Sequence, residues 1–350
     1  MKVPPAVAIA VPLGAAVVEG LVAGPARVRW LWEPELMPPR RHEGDYLGDP
    51  AFRRTPAEQA RYDRLIDSAD VLLGLPDTDP AALRRTAMAN PSLAWVHTMA
   101  AGGGAQLRAA GLPSERLAAL TVTTSAGVHG SALAEFALLG LLAGVKDLPR
   151  WQRDQRALRW PERGPVAQLR GRVVLVLGTG GIGSRVAEAV AALGGRPWGL
   201  VRDGAVARTG FERVLSLAEL PASLGEVDAV VNALPGTART RHLVDREFLG
   251  ALRRGCVVVN VGRGSVIDET ALASALESGQ VGFAALDVFE REPLPADSPL
   301  WRSDRVLVSP HTAALDAGEE QRIASLFARN LESWLEGRPL LNVVDKDEFY

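Results

Sequence analysis

The 350-residue sequence contains a single cysteine, Cys256, which excludes an intrachain disulfide framework and leaves the fold to rest on its core. That usage fits a reducing compartment, and a cytoplasmic protein is expected. Lysine is nearly absent: Lys2, Lys146 and Lys346 are the full set, so 36 of the 39 basic residues are arginine. Forty-one acidic residues are interspersed among them, leaving a net charge of −2. No bulk positive field remains to hold nucleic acid or an anionic membrane, and neither is expected as a partner. Long apolar runs are also missing. None approaches the roughly 18 residues of a membrane span. The nearest, Val3 to Val18, is broken by Pro4, Pro5, Pro12 and Gly14. In outline it mimics a signal peptide, but it reads as a first buried strand, Val7 to Val11, stopped by Pro12.

What is present is an ordinary soluble composition, 47% hydrophobic and 23% charged, at a length that suggests two domains. From Arg172 onward the pattern is regular. Val173 to Leu177 is a continuous apolar run, the mark of a strand buried on both faces of a parallel sheet. A helix follows with Ile182, Val186, Ala189, Val190 and Leu193 on one face, stopped by Gly194 and Gly195. Further strand-like runs occur at Val227 to Val231, Cys256 to Val261, Val281 to Leu286 and Val306 to Val308. Asp268 is placed to cap a helix that ends before Gly279. Alternating strands and helices predict a doubly wound α/β sheet. Earlier in the chain, Val71 to Leu75 and Leu93 to Val96 read as strands, Ser131 to Ala143 as a helix, and Glu33 to Thr55 as a long loop rich in Pro, Arg and Gly. A final helix is expected between Asp316 and Gly337.

Gly178, Gly180 and Gly183 form a GxGxxG that directly follows a buried strand and opens a helix, the context a dinucleotide loop requires. Gly178 permits the tight turn, Gly180 and Gly181 allow close approach of a pyrophosphate, and Gly183 lets helix and strand pack. The helix N-terminus supplies free N–H groups to the phosphates. A purely structural strand-to-helix turn is the plain alternative. The next strand, Pro197 to Val201, carries no acidic residue where a ribose 2′-hydroxyl would be bound; Arg202 follows, and only then Asp203. NADP is therefore favoured over NAD, which Asp203 would restore if the strand ran two residues further.

At Asn260 to Gly264, Asp287 to Pro293 and Ser309 to His311 the sequence resembles the D-isomer-specific 2-hydroxyacid dehydrogenases, a family of NAD(P)-dependent reductases and dehydrogenases of the glyoxylate/hydroxypyruvate type that also includes a corepressor branch. The likeness runs from about Trp95 to Leu340 and includes Val122 to Gly130, Ala134 to Phe136, Gln155 and Trp160. The first 90 residues match poorly. The resemblance places the catalytic set at Arg263, Glu292 and His311. It puts Asp287 beside the nicotinamide, with a capping role as the alternative, and Ile182, Leu234, Pro235 and Val261 on the cofactor wall.

Each residue type suits its task. Reduction of a 2-keto acid needs a proton on oxygen, which histidine holds near neutral pH. A neighbouring carboxylate favours the imidazolium. An arginine fork can hold a carboxylate and polarise a carbonyl. Glu292, immediately before the proline, takes the glutamate role over Glu290, which reads as a surface residue. His42, His97, His129 and His242 lack metal-ligand spacing, so no metal is assigned. Cys256, inside an apolar run, is expected to be inert.

The family's carboxylate-holding loop corresponds to Met99 to Gly104 here, with Ala101, Gly102 and Gly103 as the substrate-binding backbone. It lacks the family's Val and Asp, so backbone donation survives but the pocket walls differ. The resemblance further implies two Rossmann-like domains with doubly wound parallel sheets. Residues 1–125 and 315–350 would form a discontinuous substrate domain, and residues 126–314 the dinucleotide-binding domain. A homodimer through the Ser131 to Trp160 region is also implied. The expected function is an oxidoreductase acting on a small 2-keto or 2-hydroxy acid, with His311 as proton donor and acceptor. The alternative is a catalytically weak NAD(P)-sensing protein of the corepressor type.

Overall fold

The computed structural model describes residues 4–24, 27–201 and 209–349. In chain order the first half runs β1 (Ala6–Ile9), α1 (Ala15–Val22), β2 (Arg29–Leu31), α2 (Pro56–Asp67), β3 (Val71–Leu73), α3 (Pro80–Ala89), β4 (Trp95–Thr98), α4 (Gly103–Ala110), α5 (Ser114–Ala119), β5 (Thr121–Thr124), α6 (Gly130–Val145) and α7 (Leu148–Arg156). The second half continues with β6 (Val173–Leu177), α8 (Gly181–Ala192), β7 (Arg196–Leu200), β8 (Arg213–Leu215), α9 (Leu220–Ser223), β9 (Ala229–Asn232) and α10 (Arg246–Ala251). It ends with β10 (Cys256–Asn260), α11 (Glu269–Glu277), β11 (Val281–Leu286), β12 (Val306–Val308) and α12 (Glu319–Leu335). No helix among the described residues is long and apolar enough to cross a membrane.

The chain forms two compact units, Met1–His129 with Leu315–Tyr350, and Gly130–Ala314. The first carries a five-stranded sheet in the order β2-β1-β3-β4-β5, the second a seven-stranded sheet in the order β12-β11-β10-β9-β6-β7-β8. Every strand pairing is parallel. In each sheet alternate residues feed two separate cores, as the two-residue strand period demands. Leu72 and Val96 face the layer of α2 to α4, whereas Val71, Leu73 and Trp95 pack with α12 residues Ile323 and Phe327. In the second unit Val173, Leu175 and Leu177 join the layer of α10 and α11; Val174 and Val176 join that of α6 and α8.

Several local expectations shift. The Val3 to Val18 stretch splits at Pro12 into β1 and α1. The strand expected at Leu93 to Val96 lies at Trp95–Thr98. It buries His97 and Thr98, whose polar atoms find partners that an apolar pattern cannot reveal. In α8 Leu193 is 41% exposed, and Ala187 takes a place on the inner face. The Glu33 to Thr55 stretch holds one short 3₁₀ turn, Pro34–Leu36, and ends where Thr55 and Glu58 form a reciprocal cap for α2. β2 and β8 went unforeseen because edge strands are half solvated and carry mixed polarity.

Candidate active site

β6 delivers the chain into Gly178, whose φ of +96° suits glycine, and then into Gly180 at the N-cap of α8. A Cβ on Gly183 would lie 1.9 Å from the Gly178 carbonyl oxygen, so only glycine allows the helix to start this close to the strand. A Cβ on Gly180 would meet nothing within 4 Å, so its face is open. No side chain caps α8, and its first amides are left for an external acceptor. This glycine cradle at an uncapped helix start fits the pyrophosphate of a dinucleotide. Leu234 lies beside Gly178, 3.1 Å from where a Cβ there would be. Ile182 is half-buried and Pro235 exposed, whereas Val261 is a core residue packed with β10 and β11 side chains. β7 ends at Leu200, and the Val201 amide donates to the Leu215 carbonyl. Arg202 and Asp203 lie outside the described residues.

Two buried asparagines, Asn232 at the end of β9 and Asn260 at the end of β10, shape the next turn. Asn232 Nδ2 donates to Asn260 Oδ1 at 2.8 Å, and both side-chain amides donate to the Arg263 carbonyl at 3.3 Å. Asn260 Oδ1 also accepts from the Gly262 amide at 3.2 Å. Arg263 is thus presented by a backbone locked from beneath. Its guanidinium donates to the Gly262 carbonyl at 2.7 Å, and among the described residues it has no carboxylate partner. Sequence reading missed Asn232. The signal was available: a polar residue closing an apolar run at the carboxyl end of a parallel strand.

His311 follows β12 with φ +55°, a left-handed backbone that only a strongly determined turn sustains. Its Nδ1 lies 2.8 Å from Glu292 Oε2, while Glu292 Oε1 accepts the Phe289 amide at 3.0 Å. That leaves Nε2 free to meet a ligand. Asp287, 1% exposed at the end of β11, supplies the determination. Its Oδ1 accepts from Ser309 Oγ at 2.7 Å and from the amides of Thr312 and Ala313 at 2.9 and 3.0 Å. Its Oδ1 is therefore committed to the His311 turn. Ser309 and Thr312 are further residues that sequence reading left without a role.

The structure joins Glu292 to His311 directly and Arg263 to them through backbone. A Cβ on Gly264 would lie 1.8 Å from the Phe289 carbonyl carbon, so the Arg263 and Glu292 turns touch main chain to main chain. Cys256 is buried, and burial pushes its thiol up to about 12, so it stays protonated and inert.

Within the first unit, the Met99 to Gly104 stretch leads from β4 into α4. A Cβ on Gly103 would lie 2.0 Å from Thr98 Oγ1, and Thr98 Oγ1 donates to the Ala100 carbonyl at 3.0 Å. No side chain caps α4 at Gly102, so the amides after Ala101 are free of a local cap. Beneath the loop, His97 Nδ1 contacts Thr123 Oγ1 at 2.7 Å and Nε2 contacts Ser125 Oγ at 3.2 Å. Ser125 Oγ in turn donates to the Thr98 carbonyl at 3.0 Å. Neutral imidazole satisfies this set, and burial pushes the His97 pKa down to about 4.

Comparison with known proteins accords with this geometry. The family model for the D-isomer specific 2-hydroxyacid dehydrogenase NAD binding domain matches residues 138–313. A glyoxylate reductase of Aeropyrum pernix is 34% identical over 65% of this chain and 70% of its own. A D-isomer specific 2-hydroxyacid dehydrogenase of Xanthobacter autotrophicus, crystallised with NADPH and MES, superposes with a TM-score of 0.78 at 31% identity. That match covers 99% of this chain and 100% of the other. An NADPH-dependent glyoxylate/hydroxypyruvate reductase of Sinorhizobium meliloti, crystallised with NADP and sulfate, gives a TM-score of 0.76 at 25% identity, with 99% and 100% covered.

Proposed function

Since the chain belongs to the D-isomer-specific 2-hydroxyacid dehydrogenase family of oxidoreductases, we propose that it reduces a small 2-keto acid to the D-2-hydroxy acid with hydride supplied by NADPH or NADH. The contact between His311 Nδ1 and Glu292 Oε2 at 2.8 Å carries this reading. With Nδ1 engaged, the proton that the substrate oxygen needs sits on Nε2 of the imidazolium. Glu292 fixes the ring plane and the tautomer. Arg263, without a carboxylate of its own, holds the substrate carboxylate and polarises the keto oxygen as charge develops. Asp287 holds the His311 turn through Oδ1 and, as the resemblance implies, lies beside the nicotinamide.

The Gly178 to Gly183 cradle takes the pyrophosphate, with Ile182 and Leu234 beside it and Pro235 and Val261 next along the wall. NADPH is the favoured partner because no carboxylate follows β7 up to Val201, and because related reductases were crystallised with NADPH or NADP. Residues 1–125 and 315–350 serve as the substrate domain, residues 126–314 as the dinucleotide-binding domain. Ala101, Gly102 and Gly103 offer backbone donors to the substrate carboxylate. The departure of that loop from the family pattern suits a 2-keto acid whose side chain differs from that of the usual substrates. Glyoxylate and hydroxypyruvate, named for the relatives, are the first to try.

The working assembly is a homodimer through Ser131 to Trp160. Leu158 and Trp160 are 95% and 94% exposed there, two large apolar side chains that a partner chain would cover. The compartment is the cytoplasm, and neither nucleic acid nor membrane is a partner. The corepressor-type alternative finds no support among these relatives, whose names are those of reductases and dehydrogenases. Steady-state oxidation of NADPH and NADH with glyoxylate, hydroxypyruvate and bulkier 2-keto acids tests the proposal. Turnover with at least one of them is the expected result. Tight cofactor binding without turnover across the panel would overturn it.

A further inference from the structure

Glu290, two residues before Glu292, is not the idle surface carboxylate its place in the sequence suggests. Its Oε2 lies 2.9 Å from His242 Nε2 and 3.9 Å from the Arg241 guanidinium, and its Oε1 accepts the Glu269 amide at 3.0 Å. The exchange is reciprocal, because the Glu290 amide donates to Glu269 Oε1. His242 is itself anchored: its amide donates to the Ser265 carbonyl at 2.9 Å, and its φ is +49°. Three segments distant in sequence therefore meet at one carboxylate. They are the Arg241–His242 turn, the start of α11 with the Arg263 turn just before it, and the turn that carries Glu292.

The Gly264 contact shows what this clasp controls. Main chain touches main chain there, with a Cβ on Gly264 falling 1.8 Å from the Phe289 carbonyl carbon and 2.4 Å from the Glu290 amide nitrogen. Buried Phe289 and Ile267 share one core cluster on the inner side of this seam. The Glu290 bonds span the seam on its outer side. We propose that Glu290 is a positioning residue: clasped by His242 and Glu269, it sets the Glu292 turn against the Arg263 turn and so sets the Glu292–His311 distance. The inference rests on the roles given above to Arg263, Glu292 and His311.

Loss of the clasp lets the Glu292 turn move, and a displacement near 1 Å at a reacting group costs up to about a hundred-fold in rate. The groups facing His311 are Glu292 and, from the end of β11, Asp287, whose carboxylate is held within the His311 turn. With Glu292 displaced the His311 ring loses the Nδ1 contact that fixes its orientation.

The ring-nitrogen NMR shifts of His311 at one fixed pH in the cofactor-free protein, assigned with His311→Asn, report its Nδ1 hydrogen bond without reference to turnover. Glu290→Ala is expected to move the Nδ1 shift toward that of a ring without the Glu292 bond and to cut kcat roughly ten- to a hundred-fold with the cofactor KM unchanged. Glu290→Gln, which keeps the acceptor for the Glu269 amide, is expected to restore most of both. His242→Ala, a milder opening of the same clasp, is expected to shift both in the same direction and serves if Glu290→Ala fails to fold. A folded Glu290→Ala or His242→Ala protein with the parent His311 ring shifts would overturn the proposal. Absence of turnover in the parent protein would instead count against the function, leaving the ring shifts to judge the clasp.

Discussion

The backbone amide of His311 donates to the Asp287 carbonyl at 2.9 Å, while the carboxylate of the same aspartate accepts from the next two amides and from Ser309. One buried residue thus holds the His311 turn from both its main chain and its side chain. Asp287→Ala would remove the acceptor of the Thr312 and Ala313 amides, each bond contributing about 0.5–1.5 kcal/mol net. The expected result is a lowered Tm and a large loss of kcat. Asp287→Asn keeps the Oδ1 acceptor and should retain most stability. A selective loss of cofactor affinity in Asp287→Asn, with stability intact, would instead return Asp287 to the cofactor.

Arg263 stands on a turn braced by Asn232 and Asn260 with no carboxylate to neutralise it. A preorganised donor of this kind is worth about 10²–10³ in rate. Arg263→Ala should lose that much in kcat/KM while cofactor affinity stays within a few-fold. Near-parent kcat/KM would remove Arg263 from the chemistry.

The cofactor choice turns on the residues just beyond the end of β7. Arg202→Ala should weaken NADPH far more than NADH, measured as the ratio of the two dissociation constants. Equal losses for both cofactors would end the case for Arg202 at a 2′-phosphate.

Stability should fall on the acid side because of His97. Burial lowers its folded-state pKa to about 4 from an unfolded value near 6.5. Above 6.5 both states are neutral and nothing is lost. As pH falls from 6.5 toward 4 the unfolded chain binds the proton first, at a cost of about 3 kcal/mol to the fold by pH 4. Glu319 works in the opposite sense. Burial raises it to about 7, so its contribution is complete below 4.5 and declines as pH rises through 7. Denaturant titrations of the parent and His97→Gln across pH 4 to 8 isolate the histidine. The variant should lose less stability on acidification, and parallel curves would exclude His97 as the cause.

The strand–glycine–helix pattern at Val173 to Gly183 was readable in the chain itself, because it lies in one short segment whose period carries its meaning. Arg263, Glu292 and His311 were marked by the resemblance to the family's motifs. Asp268 as a cap for α11 was equally local: its side chain accepts the Ala271 amide at 2.9 Å. What the linear pattern could not show was the bracing. Asn232 meets Asn260 across 28 positions, His242 meets Glu290 across 48, and His97 meets Ser125 across 28. Each of these bonds joins segments far apart in the chain, so each residue looks like a surface or core residue until the sheet order brings the pair together. The same holds for Asp287, whose Oδ1 accepts from Ser309 across 22 positions and from Thr312 across 25. Residue types and spacing determined which reaction the chain is equipped for. The parallel sheet decided which buried polar groups would hold that equipment still, because hydrogen bonds between distant segments exist only once the topology has set their ends side by side.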